Sequence, residues 1–398
     1  MIKPSLKRAV LVLADGTCFQ GFAFGSMEKE VFGELVFSTS MTGYVELLTD
    51  PSYHQQILTL TCPEIGNCGV ARCDAESDRI FAKALVVREI SPMTSNWRAD
   101  ISLDDWLKEE GIPGIYGIDT RALVHHLRSH GSQMAILSTI QSADIFDLHQ
   151  RAGQLQGMEG AELASEVSTK SPFEFTQGLF GTDGTQISAL SKPRYHVAVI
   201  DFGIKKNMLR LLVHYGCRVT VLPSHALAHE VLDLKPDGLL LSNGPGDPEV
   251  AVAGIDTVRN LIGLLPIFGI CMGHQVLSLA TGAKTFKLKF GHRGANQPVI
   301  GDDGRVMITS QNHGFAVDDS ALHASFKIAQ TNLSDGTVEG LTVLDKWAFG
   351  VQYHPEAAPG PHDAQNHFVQ FLSIMEMWKK TKSQNVLELE VVNHAEAF

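Results

Sequence analysis

The string Gly269-Ile270-Cys271-Met272-Gly273-His274-Gln275 sets a thiol between two glycines, after the apolar, β-rich run Pro266 to Ile270 and before a helical pattern reaching Ala280. A nucleophile raised on a sharp strand-to-helix turn needs small residues two positions to either side, because the backbone is crowded there and the side chain must protrude. Gly269 and Gly273 meet that need. The helix N-terminus behind the cysteine favours a thiolate and leaves the Met272 N–H free to face an oxyanion. Taken alone, G-x-C-x-G fits a buried structural cysteine equally well.

A second string, Phe349-Gly350-Val351-Gln352-Tyr353-His354-Pro355-Glu356, shifts that balance. Residues two apart on an extended chain project to the same side, so His354 and Glu356 can face one site. A thiol needs a base within reach and an imidazole needs an acceptor to fix its tautomer, so a cysteine with a His-x-Glu pair completes a triad. Any one of the 17 histidines taken singly is better read as solvated or structural, and it is the joint occurrence that carries weight. A third string, Ser242-Asn243-Gly244-Pro245-Gly246-Asp247-Pro248, follows an apolar run and lacks the Lys and Ser/Thr of a nucleotide P-loop. It reads as a plain turn, or as a tight loop offering backbone N–H groups to the other side of an oxyanion.

These strings must be held by a framework. From residue 194 onward, short β-rich runs (His196 to Ile200, Cys217 to Leu222, Gly238 to Ser242, Pro266 to Ile270) alternate with helical patterns. That rhythm predicts an α/β domain over residues 194–380, a mostly parallel sheet covered by helices on both faces, with its ligand site beyond the carboxyl ends of the strands. Residues 1–150 mix strands (Arg8 to Leu13, Thr17 to Phe24, Leu35 to Ser38, Gln56 to Leu60, Phe81 to Ile90, Met134 to Ser138) with helices capped by Ser102 and Asp119, predicting a smaller α+β domain. Asp15-Gly16 suits the turn of its first hairpin. Residues 151–193, rich in Gly, Ser, Thr, Gln and Glu, read as a linker, and 381–398 as a polar C-terminal tail.

Composition narrows the function classes. The 398 residues exceed what one core usually serves, and the net charge of −12 disfavours nucleic acid and membrane surfaces, which are themselves polyanions. No apolar run approaches the ~20 residues of a membrane span and the N-terminus lacks a signal-peptide pattern, so the cytoplasm is the expected location. Six cysteines without C-x-x-C spacing are no disulfide framework. His54, Cys62, Cys68 and Cys73 cluster along the chain, but their spacing matches no familiar zinc pattern, and no metal is expected.

The three strings together resemble the class I (triad-type) glutamine amidotransferases. Thr39-Ser-Met-Thr-Gly-Tyr44, Leu48-Thr-Asp-Pro-Ser-Tyr53, Ile118-Asp-Thr-Arg121, Lys289-Phe-Gly-His292 and Gln311-Asn-His-Gly-Phe315 extend the resemblance to the small, glutaminase chains of carbamoyl-phosphate synthetases, from about Ala9 to Trp378. The resemblance implies Cys271 as nucleophile, His354 as general base and acid, Glu356 as the orienting carboxylate, and the Gly244 and Met272 N–H groups as the oxyanion hole. It implies that Ser40, Gly244, Gly246, Met272, Gln275, Asn312, Gly314 and Phe315 hold glutamine, the pocket lying near the domain junction. Many relatives have Leu in place of Met272, a change that leaves a backbone N–H role intact. His313 is expected to support the pocket and His274 to pack against the sheet.

The same resemblance implies a glutamine-hydrolysing subunit that passes ammonia to a large synthetase chain making carbamoyl phosphate from bicarbonate for arginine and pyrimidine biosynthesis. ATP and Mg would be used on that partner, with no cofactor on this chain, and the heterodimers are expected to assemble further. Two other readings compete. A glutaminase serving anthranilate, GMP or CTP synthesis is disfavoured by the N-terminal domain, since those enzymes lack the Thr-Ser-Met-Thr-Gly-Tyr element. A regulatory subunit with a dead triad is disfavoured by the intact Cys271, His354 and Glu356.

Overall fold

The computed structural model describes residues 7–187 and 192–395. In its N-terminal part, strands Arg8–Leu13, Cys18–Gly25, Pro113–Tyr116, Ala84–Val86, Gln56–Leu60, Glu30–Ser38 and Gln133–Ser138 close, in that order, into a barrel. Closure depends on Glu30–Ser38, which pairs parallel with Gln56–Leu60 on one side and antiparallel with Gln133–Ser138 on the other, leaving no free edge. Leu11, Leu13, Leu35, Ile57, Ile115 and Leu137 share one core cluster, as period-2 alternation requires. The expected first hairpin turns at Gly16, whose φ of 89° is easy only for glycine. Asp15 helps hold that turn by accepting from the Thr17 N–H at 2.9 Å.

The α+β reading of this region holds, including both helix starts. Ser102 accepts from the Asp105 N–H at 3.2 Å to cap Leu103–Glu109, and Asp119 accepts from the Ala122 N–H at 3.0 Å to cap Thr120–His130. The apolar run from Phe81 to Ile90 is not one strand. Ala84–Val86 stays in the barrel while Glu89–Ile90 leaves it to pair with Glu64–Ile65, because the Glu89 N–H turns to the Pro63 carbonyl at 3.1 Å.

The C-terminal part is built on a ten-stranded sheet. Its parallel centre runs Cys217–Pro223, Tyr195–Asp201, Gly238–Leu241, Ile267–Ile270, Ala348–Val351. The odd residues Val197 and Val199 pack with Leu209 and Leu212 of helix Lys206–His214 and with Phe368 and Phe371 of helix Asn366–Ala395. The even residues Ala198 and Ile200 pack with Ile255 and Val258 of helix Val252–Leu261 and with Val276 of helix Met272–Ala280. Helices therefore cover both faces, and the central strands are apolar throughout for that reason.

Beyond Ala348–Val351 the sheet continues antiparallel through Val338–Val343, Phe326–Asn332, Thr285–Gly301 and Val306–Val317. This extension meets the barrel: the Thr39 N–H donates to the Arg293 carbonyl at 3.2 Å, and the Ser132 N–H to the Lys289 carbonyl at 2.9 Å. The segment read as a linker carries a short helix, Ala164–Val167, and an edge strand, Phe173–Phe175, antiparallel to Cys217–Pro223. The sheet thus recruits part of a stretch whose composition gave no strand signal. Helix Asn366–Ala395 runs on through most of the expected tail, and residues 396–398 lie outside the described residues. No helix among the described residues is long and apolar enough to cross a membrane.

Candidate active site

Cys271 sits between strand Ile267–Ile270 and helix Met272–Ala280 with φ 54° and ψ −108°, a conformation a side-chain-bearing residue adopts only when its surroundings impose it. Its own N–H donates to the Val351 carbonyl at 2.8 Å, and the Gly273 N–H donates to the Ser242 carbonyl at 2.9 Å. The two glycines are sterically required. A Cβ on Gly269 would lie 2.5 Å from the Gly273 oxygen, and one on Gly273 would lie 2.2 Å from the Leu241 oxygen. The result is a thiol projected from the carboxyl edge of the sheet, 2% exposed, with the Asn312 carbonyl 3.7 Å from Sγ and the Gln352 amide donating to it at 3.8 Å.

His354 and Glu356 follow strand Ala348–Val351, the parallel neighbour of the strand that delivers Cys271. The His354 Nδ1–H donates to Glu356 Oε1 at 2.7 Å, while Nε2 is buried with no hydrogen-bond partner among the described residues. Burial disfavours the imidazolium, but the Glu356 carboxylate and the neighbouring Cys271 thiol outweigh it and push the His354 pKa up to about 10. Glu356 is wholly buried, which would raise its pKa, yet the Lys205 ammonium and His354 hold it down at about 2.

Lys205 was not anticipated. Its Nζ donates to Glu356 Oε1 at 2.8 Å and to the Ala357 carbonyl at 2.6 Å, and the side chain is 3% exposed. Burial works against its charge, but Glu356 and Glu76 more than compensate and keep its pKa above the usual lysine value. Asn207 adds a 2.6 Å bond to the Glu356 carbonyl, so two residues just past strand Tyr195–Asp201 fix the carboxylate and its backbone. The available signal was positional: Lys205 follows the end of a parallel strand, where such sheets place their functional groups.

Cys271 opens into a cavity of about 420 Å³, mouth included, whose walls include Gly244, Gly246, Gln275, Asn312, Gly314 and Phe315. The structure therefore brings together most of the residues expected to hold glutamine. Gly244 is confined, since a Cβ there would lie 2.2 Å from the Phe202 oxygen, and Gly246 has a φ of 90°. The Gln275 amide donates to the Phe315 carbonyl at 2.7 Å and to Gln352 Oε1 at 3.0 Å, tying helix Met272–Ala280 to the antiparallel strand. Met272 occupies the first helical position, whose N–H has no intrahelical acceptor, while its side chain packs in the core beneath. Ser40 is buried, its N–H donating to Ser38 Oγ and its hydroxyl oxygen accepting from the Ser38 hydroxyl, and it is not among the cavity-lining residues.

The barrel contributes in ways the strings did not announce. Glu34, Ser52 and Gln56 line the cavity, with Lys287 and Arg293 opposite, and Lys287 Nζ lies 2.9 Å from Glu34 Oε1. Asp50 accepts from the Asn312 amide at 2.9 Å and from the Asn243 amide at 3.2 Å. One carboxylate of the N-terminal part thus holds both the loop at Asn243 and the strand at Asn312. His274 lies beneath Gly350 in the core, where burial lowers its pKa to about 4 and keeps it neutral. His313 lines the cavity and donates through Nδ1 to the Phe315 carbonyl at 2.8 Å, with burial and His292 pushing its pKa well down.

Away from the thiol, His54 pairs with Glu166 at 2.8 Å, and Cys73 accepts from Arg98 at 3.4 Å. Among the described residues, His292, His313 and Glu339 gather in a metal-ligand arrangement, their ligand atoms all lying within 4.8 Å of one another.

Comparison with known proteins gives this geometry a family. Residues 11–137 match the carbamoyl-phosphate synthase small chain, CPSase domain, and residues 198–374 match glutamine amidotransferase class-I. The chain is 50% identical over 378 residues to a carbamoyl phosphate synthase small chain of Syntrophotalea carbinolica, covering 95% of this chain and 100% of that one. It is 48% identical over 390 residues to that of Polynucleobacter asymbioticus, covering 95% and 98%, and 46% identical over 380 residues to that of Escherichia coli O6:H1, covering 94% and 99%. A thiol on a glycine-flanked elbow beside a buried His–Glu pair, joined to a barrel domain of the matching kind, places the chain in the carbamoyl phosphate synthase small chain family.

Proposed function

We propose that this chain hydrolyses the side-chain amide of glutamine at Cys271 and delivers the ammonia to a large synthetase subunit. The observation that carries the reading is the buried Cys271 thiol at the wall of a cavity, with the buried His354–Glu356 pair delivered beside it by the neighbouring parallel strand. The raised His354 pKa favours the imidazolium, the neighbour that stabilises a thiolate. The thiolate attacks the amide carbon. The oxyanion is met by the Met272 N–H at the helix start and by the Gly244 N–H of the facing loop, an arrangement in which losing one donor typically costs about 10²–10³ in rate. His354 Nε2 then gives its proton to the departing nitrogen, so ammonia leaves and a γ-glutamyl thioester remains. A water that passes its proton to His354 attacks that thioester and releases glutamate, regenerating the thiol.

Glu356 fixes the imidazole tautomer through Nδ1, and Lys205 keeps Glu356 ionised in a buried setting. Gln275, Asn312, Gly314 and Phe315 shape the glutamine pocket together with Gly244 and Gly246. Ser40, which lies outside the cavity wall, would join them through its hydroxyl proton, since its oxygen accepts from Ser38. In this reading the ATP and Mg requirement belongs to the partner, which combines the ammonia with bicarbonate to make carbamoyl phosphate. Support for the partner comes from the small-chain domain over residues 11–137 and from relatives named as small chains along their whole length.

The test is glutamate release from glutamine with and without the cognate synthetase chain. Weak release alone, strong stimulation by the partner and none from Cys271→Ser are expected. Undiminished release from Cys271→Ser would sink the reading.

A further inference from the structure

We propose that His292, His313 and Glu339 form a site for one divalent transition-metal ion of the zinc type, beside the cavity that Cys271 opens into. His292 Nε2 lies 2.8 Å from Asp335 Oδ2 and donates to that carboxylate, and Nδ1 becomes an acceptor once its proton is released to solvent on metal binding. That Nδ1 is buried and without a partner. His313 donates through Nδ1 to the Phe315 carbonyl at 2.8 Å, which leaves its lone pair on Nε2, and the atom facing Nε2 at 3.2 Å is placed as Gln311 Oε1, another acceptor. Glu339 is fully buried; Oε1 accepts from the Asn332 amide at 2.8 Å and Oε2 has no partner.

His292 Nδ1 and Glu339 Oε2 have no hydrogen-bond partner and His313 Nε2 has only the Gln311 side-chain amide at 3.2 Å, so the three atoms converge on an under-satisfied pocket. An ion pair between His292 and Glu339 does not satisfy it. A charge-assisted bond would bring Nδ1 to about 2.7–2.9 Å from the carboxylate, whereas the separation is 3.7 Å. A metal ion would occupy the gap. Zn–N and Zn–O bonds of about 2.0–2.2 Å put tetrahedral ligand atoms roughly 3.3 Å apart, so a triangle whose atoms lie within 4.8 Å closes by small side-chain rotations.

Each candidate ligand is already oriented from outside: Asp335 behind His292, the Phe315 carbonyl behind His313 and the Asn332 amide behind Glu339. Outer partners of this type commonly orient metal-binding histidines and carboxylates. The ligands come from strands Thr285–Gly301, Val306–Val317 and Val338–Val343, so an ion would pin three strands of the antiparallel extension. Two imidazoles and one carboxylate leave room for a fourth ligand and suit zinc, cobalt or nickel better than calcium or magnesium. The site does not depend on the reaction proposed above. Because His313 also lines the cavity, occupancy is expected to affect glutamine hydrolysis.

The test uses the full chain carrying Cys271→Ser, so that the cavity thiol cannot supply a ligand. Cobalt(II) is titrated while its visible absorption is followed, and zinc displacement is measured calorimetrically. One saturable equivalent is expected, with imidazole–carboxylate absorption and no thiolate charge-transfer band. Affinity should fall at least tenfold in Glu339→Gln and 10–100-fold in Asp335→Asn, whose side chain is 39% exposed and whose replacement keeps the fold testable if Glu339→Gln misfolds. No saturable binding, a thiolate band, or equal affinity in a folded Asp335→Asn chain would overturn the assignment.

Discussion

Lys205 Nζ and His354 Nδ1 share a single oxygen: Glu356 Oε1 accepts from the first at 2.8 Å and from the second at 2.7 Å. Glu356 is therefore more than an orienting carboxylate. In an interior that would otherwise favour its neutral form, it stays charged because Lys205 is beside it, and its charge in turn sustains the imidazolium.

Lys205→Met is expected to lower kcat for glutamine hydrolysis with a smaller change in KM, since Lys205 acts on Glu356 and does not line the cavity. Breaking a buried pair from one side typically costs about 3–5 kcal/mol, so urea denaturation should show a matching stability loss. Wild-type kcat in a folded Lys205→Met chain would contradict the role given to the ammonium.

The pH dependence follows from the same network. His354, raised to about 10, contributes stability that is complete below about 6.5 and lost as pH rises through about 10. Glu356, held at about 2, contributes stability present above about 4.5 and lost as pH falls through about 2. Glu356→Gln removes the carboxylate that favours the imidazolium, so the alkaline limb of kcat/KM should move to lower pH. An unmoved limb would show that Glu356 does not set the charge of His354.

Gly273→Ala places a methyl group 2.2 Å from the Leu241 oxygen, a clash against backbone that cannot rotate away. Overpacking of this kind typically costs about 1–3 kcal/mol, and here it also displaces the start of helix Met272–Ala280. Melting temperature and the alkylation rate of Cys271 should both fall. Gly111→Ala, where no atom lies within 4 Å of the added carbon, serves as a comparison limited to the cost of its φ of 71°.

Asp50→Ala releases the Asn312 and Asn243 amides that one carboxylate now holds from the barrel side. The expected result is a raised KM for glutamine with a smaller fall in kcat, measured by steady-state glutamate release. Replacement by Asn keeps the shape but not the charge, and should recover only part of the loss.

The elbow and the His–Glu pair were legible because their chemistry is local: glycines beside a thiol, and two side chains on one side of an extended segment. The parallel strands were legible because burial on both faces leaves continuous apolar runs. Lys205, Gln352 and Asp50 were not, since each acts through a contact made only when distant segments meet; Asp50 and Asn312 are 262 residues apart. Edge strand Phe173–Phe175 escaped for a different reason. It is short and partly exposed, and the strand it pairs with, Cys217–Pro223, supplies the burial that its own sequence does not announce.

The central claim is that Cys271 carries the acyl group. Mixing the chain with glutamine, quenching in acid and measuring the mass of the peptide that contains Cys271 tests it most directly. A γ-glutamyl adduct on Cys271 is expected to build up before steady-state glutamate release and to be absent in Cys271→Ser. Glutamate release with no adduct on Cys271, or release that persists in Cys271→Ser, would contradict it.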